Sequence, residues 1–503
     1  MSNQYKQEFK MRIRVWIILL FISTGIAQGQ ETITLKECRE MALEHNKKIK
    51  MADEKQLAVK SLKKSAKTQF YPKFSFNGGY FRTNKEFSLF NEDMHIPIVP
   101  NEVYQNGMGV LEKNPDLIRE TFVIDEEING MPIPETDENG DPLFENYGYL
   151  PQEKATIDMK NVFFGNVGMT QPIYTGGKIR ETYNMAKYGE KMMESRKHIS
   201  QSEVILETDQ RYWKVVSLEE KVKLAKDYLK RIDTLLNDVT NLHEEGIITR
   251  NKVTKVRVKK DQIQLRLTKA KNGLELARMA LNQTIGAPLD STIHLTDSIG
   301  NVYELKNPQN YVNTALSQRP ELNALDNGVK MAESGVELMK SRYKPNIGLK
   351  ANYTMTNPNP YNGFENEFGG DINVGVMVNI PIYHWGDKKH TLEAARHNKK
   401  ASMHKLEESK EKISLEVKKT IFSYREAIKK VEMTESSLEH AEENLEMTKN
   451  NFEEGITKLS DVLEAQSMWQ EAYSEYIEAK IEFKLTETEL QKASGQLNNI
   501  VKK

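Results

Sequence analysis

Three places in this chain carry residue types that could do chemistry. Gly176-Gly177-Lys178 offers glycines and a lysine, the materials of a phosphate-cradling loop. The upstream glycine of such a loop is missing, and the tripeptide falls where a strand pattern turns into a helix pattern, so it reads as a hinge. His243, beside Glu244 and Glu245, resembles half a metal site, but the 10 histidines show no ligand spacing and the trio reads as a solvated helix end. Arg250, Asn251 and Lys252 follow one Glu-Glu-Gly turn, and Ser460 and Asp461 follow another. Their charge-assisted hydrogen bonds could hold a constriction shut. Tyr212, Trp213 and Trp469 read as packing residues, and no catalytic set, metal site or cofactor motif emerges. The expectation is a protein that is not an enzyme.

What positions these residues is a duplication. Glu244-Glu245-Gly246-Ile247 recurs as Glu453-Glu454-Gly455-Ile456, an offset of 453 − 244 = 209. Gln171-Pro172-Ile173-Tyr174 answers Ile380-Pro381-Ile382-Tyr383 at the same offset, and Gly286 answers Gly495. Upstream the offset is 315 − 42 = 273, matching Ala42-Leu43 to Ala315-Leu316, Pro72 to Pro345 and Tyr80 to Tyr353. The first copy therefore carries an insertion of 273 − 209 = 64 residues between Tyr80 and Phe163. Each half is one structural unit. Residues 31–286 form the first repeat, 287–307 a linker contributing to an equatorial belt, 308–495 the second repeat and 496–503 a tail.

Composition excludes an ordinary run of globules. Apolar residues make up 38% and charged residues 28%, while 71 Lys+Arg nearly cancel 72 Asp+Glu. That profile suits long helices and gives no reason to expect nucleic acid. Residues 1–29 read as a secretory signal: Lys6, Lys10, Arg12 and Arg14 precede the apolar stretch Val15 to Ile22, then small residues around Gly25, Ala27 and Gly29. The single cysteine, Cys38, excludes an internal disulfide and reads as a buried small residue on a helix. After the signal no apolar run is long enough to span a bilayer as a helix, so an exported chain that enters a membrane does so as a β-barrel.

Four strands fit that requirement. Ile372, Val374, Val376, Val378 and Ile380 alternate with Asp371, Asn373, Gly375, Met377 and Asn379. Phe163, Gly165, Val167 and Met169 form the matching face in the first repeat. Phe74, Phe76 and Tyr80, answered by Ile347, Leu349, Ala351 and Tyr353, supply the other two strands. Between Lys178 and His243 there is no proline, and Val215, Leu218, Val222, Ala225, Leu229, Ile232, Leu236 and Val239 follow a heptad seam. Asp387 to Phe452 repeats this with Leu438, Ala441, Leu445, Thr448 and Phe452. Each helix should be ~100 Å long at 1.5 Å per residue. Half-length helices end at Gly286-Ala287-Pro288 and at Gly495, and others start near Thr34 and Pro308. Since the smallest single-chain barrels have about eight strands, four per chain must be pooled between copies; three copies give twelve.

These residues resemble the TolC-type outer membrane efflux family across about residues 31 to 498. The resemblance rests on Thr34-Leu35 with Ala42-Leu43, on Pro72 and Pro345, on Gln-Pro-Ile-Tyr and Ile-Pro-Ile-Tyr, and on the tips Gly246 to Thr249 and Gly455 to Leu463. It implies a mainly α protein with a membrane β-barrel: a homotrimeric channel-tunnel, four strands per protomer in a shared twelve-stranded barrel, with a coiled-coil helical tunnel in the periplasm. The implied function is a passive exit duct of a tripartite efflux or type I secretion system in a Gram-negative outer membrane. Implied partners are outer membrane lipid, a periplasmic adapter, and an inner-membrane pump of the resistance-nodulation-division or ATP-binding-cassette type. Gly246, Ile247, Thr249, Gly455, Ile456 and Leu459 are the implied adapter-docking residues. Arg250, Asn251, Lys252, Ser460 and Asp461 are the aperture candidates. Asn251-Lys252 departs from the hydroxyl and acid often found there in the family, so Lys252 facing Asp461 puts a strongly anionic aperture in doubt. The alternative reading is a periplasmic or envelope coiled-coil scaffold without transport, which leaves the strands and the signal unexplained. The insertion, about residues 83–160, holds 17 acidic and 5 basic residues and should lie outside the cell, as a solvated loop or as a lid over the pore.

Overall fold

The structure, a computed structural model, describes residues 32–84, 86–92, 156–297 and 309–497, with short pieces between 94 and 152. The signal reading, most of the insertion, residues 298–308 of the linker and the tail from 498 lie outside the described residues. In chain order the elements used below are β1 (Thr32–Ile33), α1 (Leu35–His45), α2 (Lys47–Thr68), β2 (Lys73–Arg82), β3 (Asn161–Tyr174), α3 (Lys178–Glu244), α4 (Arg250–Ile285), β4 (His294–Leu295), α5 (Gln309–Gln318), α6 (Pro320–Ser341), β5 (Asn346–Asn357), β6 (Gly369–Asn379), α7 (Asp387–Glu453) and α8 (Leu459–Ala493). The chain divides into two compact units, each drawing on both repeats. One is helical, the other is made of strands.

In the helical unit α3 and α7 are each 67 residues long, which is ~100 Å of helix. Their starts and ends both differ by 209, as 387 − 178 and 453 − 244. The expected seam is real but incomplete. Val215, Val222, Ile232 and Val239 are buried, and so are Leu224, Tyr228 and Leu235, which lie off the heptad. The cause is that α3 packs against both α4 and α8, so one stripe of apolar residues cannot serve both neighbours. On α7 the buried stripe Leu438, Ala441 and Leu445 continues upward through Val431, Ala427, Tyr424, Ile421 and Val417. Among the described residues no helix is long and apolar enough to cross a membrane.

The half-length arms that lead to Pro72 and Pro345 are each broken once. The breaks fall at Asn46 and Arg319, related by 319 − 46 = 273, and both side chains are buried. Asn46 Nδ2 donates to the Thr284 carbonyl at 2.8 Å. Arg319 donates to the carbonyls of Lys492 and Ala493, at 3.3 and 3.1 Å, and pairs with Glu321 and Glu416. Each break receives the glycine that ends the returning helix. A Cβ on Gly286 would lie 2.5 Å from His45 Cβ, and one on Gly495 would lie 3.1 Å from the Arg319 nitrogen. Thr34 and Glu37 cap α1 reciprocally, and β1 pairs in parallel with β4 as a small belt. Cys38 is fully buried on α1, and burial pushes its thiol up to about 12. Tyr212, Trp213 and Trp469 are buried as packing residues.

In the strand unit β2, β3, β5 and β6 form an antiparallel sheet in that order. Direct partners share a face. The register sets Phe76 opposite Val167, Val167 opposite Tyr353, and Tyr353 opposite Ile372. The apolar face expected from alternation is therefore continuous across four strands. The other face carries Ser75, Asn77, Asn166, Thr170, Asn352, Thr354 and Asn373. β6 ends at Asn379, so Ile-Pro-Ile-Tyr follows it, whereas Gln-Pro-Ile-Tyr lies within β3 at a bulge between Pro172 and Tyr174. The described pieces of the insertion pair as short antiparallel strands, such as Phe87–Ser88 with Thr156–Ile157.

Candidate functional site at the helix tips

Five residues, 245–249 and 454–458, connect each long helix to its return. Both connections are the same motif. The Gly246 N–H donates to the His243 carbonyl at 2.9 Å and that of Ile247 reaches Leu242 at 2.9 Å. At the second tip Gly455 donates to Phe452 at 3.0 Å and Ile456 to Asn451 at 2.8 Å. These paired bonds satisfy carbonyls at a helix end and require a left-handed residue between them. Both glycines sit at φ 77°. No atom lies within 4 Å of a Cβ built on either, so handedness and not crowding demands glycine.

Ile247 and Ile456 are 65% and 69% exposed, branched apolar side chains held out into solvent at equivalent places. Thr249, Arg250 and Asn251 are also exposed, while Lys252 is partly covered. Leu459 is different. It was expected to face a docking partner, but it is 3% exposed and packs in the helical core with Val462 and Val253. An apolar residue at the first position of α8 falls on the inward stripe, so its side chain is not part of the tip surface. His243 also departs from the solvated end expected of it. Its Nδ1 lies 2.9 Å from the Ile248 carbonyl, a hydrogen bond that closes the first turn with Nδ1 as donor.

Asp461 is engaged by its own helix start. Its carboxylate accepts from the Lys458 N–H at 3.2 Å and from the Ser460 hydroxyl at 2.9 Å. A carboxylate in the first turn also complements the helix dipole. The first tip has no acid there and presents Arg250 and Lys252 instead. Lys259 Nζ donates to Ser467 at 2.8 Å and Arg266 to Gln470 at 2.8 Å, so α4 and α8 run side by side from the two turns. The structure thus gathers both tips at one end of the helical unit. Farther along the helices, between α3 and α8, Arg231 stacks 4.7 Å over Trp469. Gly176-Gly177-Lys178 is the hinge expected, with φ of 64° and 100° at the glycines.

Residues 153–287 and 311–496 match the family described as outer membrane efflux protein. The chain belongs to that family. Its place is the outer membrane of a Gram-negative envelope, and the family and fold are those of channels and not of enzymes. Among curated proteins the chain is 21% identical over 242 residues to the alkaline protease secretion protein AprF of Pseudomonas aeruginosa, covering 46% of this chain; it spans about half (48%) of that relative. The fold is similar to the Campylobacter jejuni CmeC outer membrane channel at 16% identity and TM-score 0.68, over 92% of this chain and 86% of that one. CusC is similar at 13% identity and TM-score 0.69, over 92% of both chains. The open state of the Neisseria gonorrhoeae MtrE outer membrane channel is similar at 14% and 0.66, over 92% and 89%.

Sequence reasoning missed the fully buried carboxylate of this outer membrane efflux protein. Asp209 is fully buried on α3 and is held by Arg39 of α1 and Thr488 of α8. Nothing near it in sequence sets it apart from the solvated acids of the same helix.

Proposed function

We propose that three copies of this chain pool their strands in a twelve-stranded barrel across the outer membrane, continued by a periplasmic tunnel of their helices. The observation that carries this reading is the sheet. Its apolar face is exposed, with Phe74 at 73%, Ile372 at 70% and Val376 at 64%, and its edges β2 and β6 have no partner among the described residues. Lipid can cover such a face but cannot satisfy an open edge. Four strands are too few to close alone, and cyclic symmetry closes the sheet without new elements. The scaffold reading gives that apolar face no role.

The duct is passive: a periplasmic adapter docks on Gly246, Ile247, Thr249, Gly455 and Ile456, and an inner-membrane pump below supplies the energy. The relative named for alkaline protease secretion favours a type I secretion exit fed by an ATP-binding-cassette pump. The family's description keeps an efflux exit beside it, for which the pump would be of the resistance-nodulation-division type. Native mass measurement in detergent should give three copies, and planar bilayers should show discrete channels. A stable monomer without conductance would overturn the reading.

A further inference from the structure

The internal repeat supplies a template for a contact that one chain cannot show. Within the helical unit the upper helices stand in the order α2, α3, α6, α7. Lys48 pairs with Glu207 at 2.7 Å and Lys63 pairs with Glu190, joining α2 to α3. Glu181 of α3 and Ser334 of α6 are both buried, at 6% and 5% exposure, and lie together, with Lys330 near Tyr188 one turn away. Lys399 of α7 pairs with Glu333 of α6 at 2.7 Å. The outermost helices are therefore α2 and α7, each covered on one side only.

Their open faces are the repeat equivalents of faces that are covered inside the chain. His390, His397 and His404 recur every seven residues along α7. The outer two are 75% and 78% exposed by side chain. Subtracting 209 gives Glu181, Tyr188 and Ser195, of which Glu181 and Ser195 are 6% and 8% exposed; Glu181 is the one in contact with Ser334 of α6. On α2, Leu57 is 53% exposed and Ser61 is exposed. Adding 273 gives Lys330 and Ser334, the residues of α6 that meet α3. At about 1.5 Å per residue, neighbouring histidines of the row stand about 10 Å apart, too far to share a metal ion. A row of imidazoles is instead a surface to be packed and hydrogen-bonded.

We infer that α7 of one copy packs against α2 of the next in the register that α3 and α6 adopt within a chain, so that His390 meets Ser61 and His397 meets Leu57 of the neighbouring copy. This rests on the trimer proposed above and assigns the residues of its seam. The serine is kept in both repeats, as Ser61 and Ser334, while its partner changes from Glu181 to His390. The intra-chain seam is thus an acid-to-hydroxyl contact and the inter-chain seam an imidazole-to-hydroxyl contact. That difference helps a chain distinguish its own α6 from a neighbour's α2.

The one native cysteine is buried, so added cysteines report alone. His397→Cys combined with Leu57→Cys, oxidised in detergent after extraction from outer membranes, should give linked species of two and three chains on a non-reducing gel. Each single variant should give at most a trace. Tyr188→Cys with Lys330→Cys should link within one chain and leave the mass unchanged. Trimers by native mass that fail to link at residues 57 and 397 would overturn the seam while leaving the trimer standing; a monomer would instead remove the reading beneath it. For the unaltered chain, diethylpyrocarbonate should label His390 and His397 several-fold more slowly in the assembled protein than after dissociation. Equal labelling would overturn the seam even if the cysteine variants fail to accumulate.

Discussion

Arg39 of α1 grips Asp209 of α3 through its guanidinium, with Nε donating to Oδ1 at 2.7 Å. Thr488 of α8 donates to the other carboxylate oxygen at 2.6 Å. Three helices from both repeats meet on one carboxylate that is fully buried. Arg39→Ala would leave that charge without its cation, and removing one partner of a buried pair costs roughly 3–5 kcal/mol. Chemical denaturation in detergent should show a loss of that order. A loss below about 1 kcal/mol, the size of an exposed pair, would mean that water reaches Asp209.

Glu487 sits beside this knot and gives it a pH dependence. Burial raises its carboxyl above the ordinary range, with Arg39 pulling it down and Asp209 pushing it up. An acid whose folded pKa exceeds its unfolded value contributes stability that is present below the unfolded pKa and lost as pH rises through the folded one. Glu487→Gln should therefore raise the unfolding midpoint near neutral pH and flatten its pH dependence on the mildly acidic side. An unchanged profile would assign the dependence to another group.

Much of this architecture was legible because the chain repeats itself. Two offsets fixed both long helices to within a residue or two of 178–244 and 387–453, and strand alternation gave the apolar face on which Val167, Tyr353 and Ile372 lie in register. What stayed hidden has physical causes. β1 and β4 are two residues each, too short for any period to show. The break at Arg319 is marked by Pro320, which disfavours helix at the residue before it, but Asn46 has no such mark. Tyr228 and Leu235 lie off the heptad because α3 has more than one neighbour. Leu459 and His243 are set by packing and by turn closure, neither of which is visible in a four-residue motif.

The two faces of β6 should respond oppositely to charge. Val376 is on the apolar face and Asn373 on the polar one. Arginine facing lipid costs about 2–4 kcal/mol at the bilayer midplane. Val376→Arg should cut the yield of folded protein in outer membranes, whereas Asn373→Arg should insert normally and shift ion selectivity toward anions. Equal yields would mean that the sheet does not face lipid.

Gly455 holds φ 77° in open space, so a side chain there strains only the backbone, by roughly 1–2 kcal/mol. Gly455→Val should reshape the second tip and abolish transport while trimers still assemble. Ile247→Asp with Ile456→Asp, which leaves both turns intact, should weaken adapter binding at least tenfold. Normal transport in both variants would take adapter docking away from these turns.

Gating is the sharpest test of the tips. In the passive duct proposed above, opening is driven by a partner that favours one arrangement of the helical ends. Among the described residues Asp461 bonds only within its own turn, and neither Arg250 nor Lys252 pairs with it inside the chain. In the proposed trimer a clamp built from these groups would run between copies, where symmetry multiplies each contact threefold. Lys252→Ala with Asp461→Ala should raise single-channel conductance and sensitise cells to large antibiotics. The alanine at 461 also removes hydrogen bonds at the start of α8, worth ~1 kcal/mol, so local fraying could mimic opening. Asp461→Asn separates the two, since its amide oxygen still accepts from the Lys458 N–H and its amide N–H can donate to the Ser460 hydroxyl, without the charge. Conductance that rises in Lys252→Ala with Asp461→Asn as much as in the double alanine variant assigns the clamp to charge. Conductance unchanged in both places the constriction elsewhere along the helices.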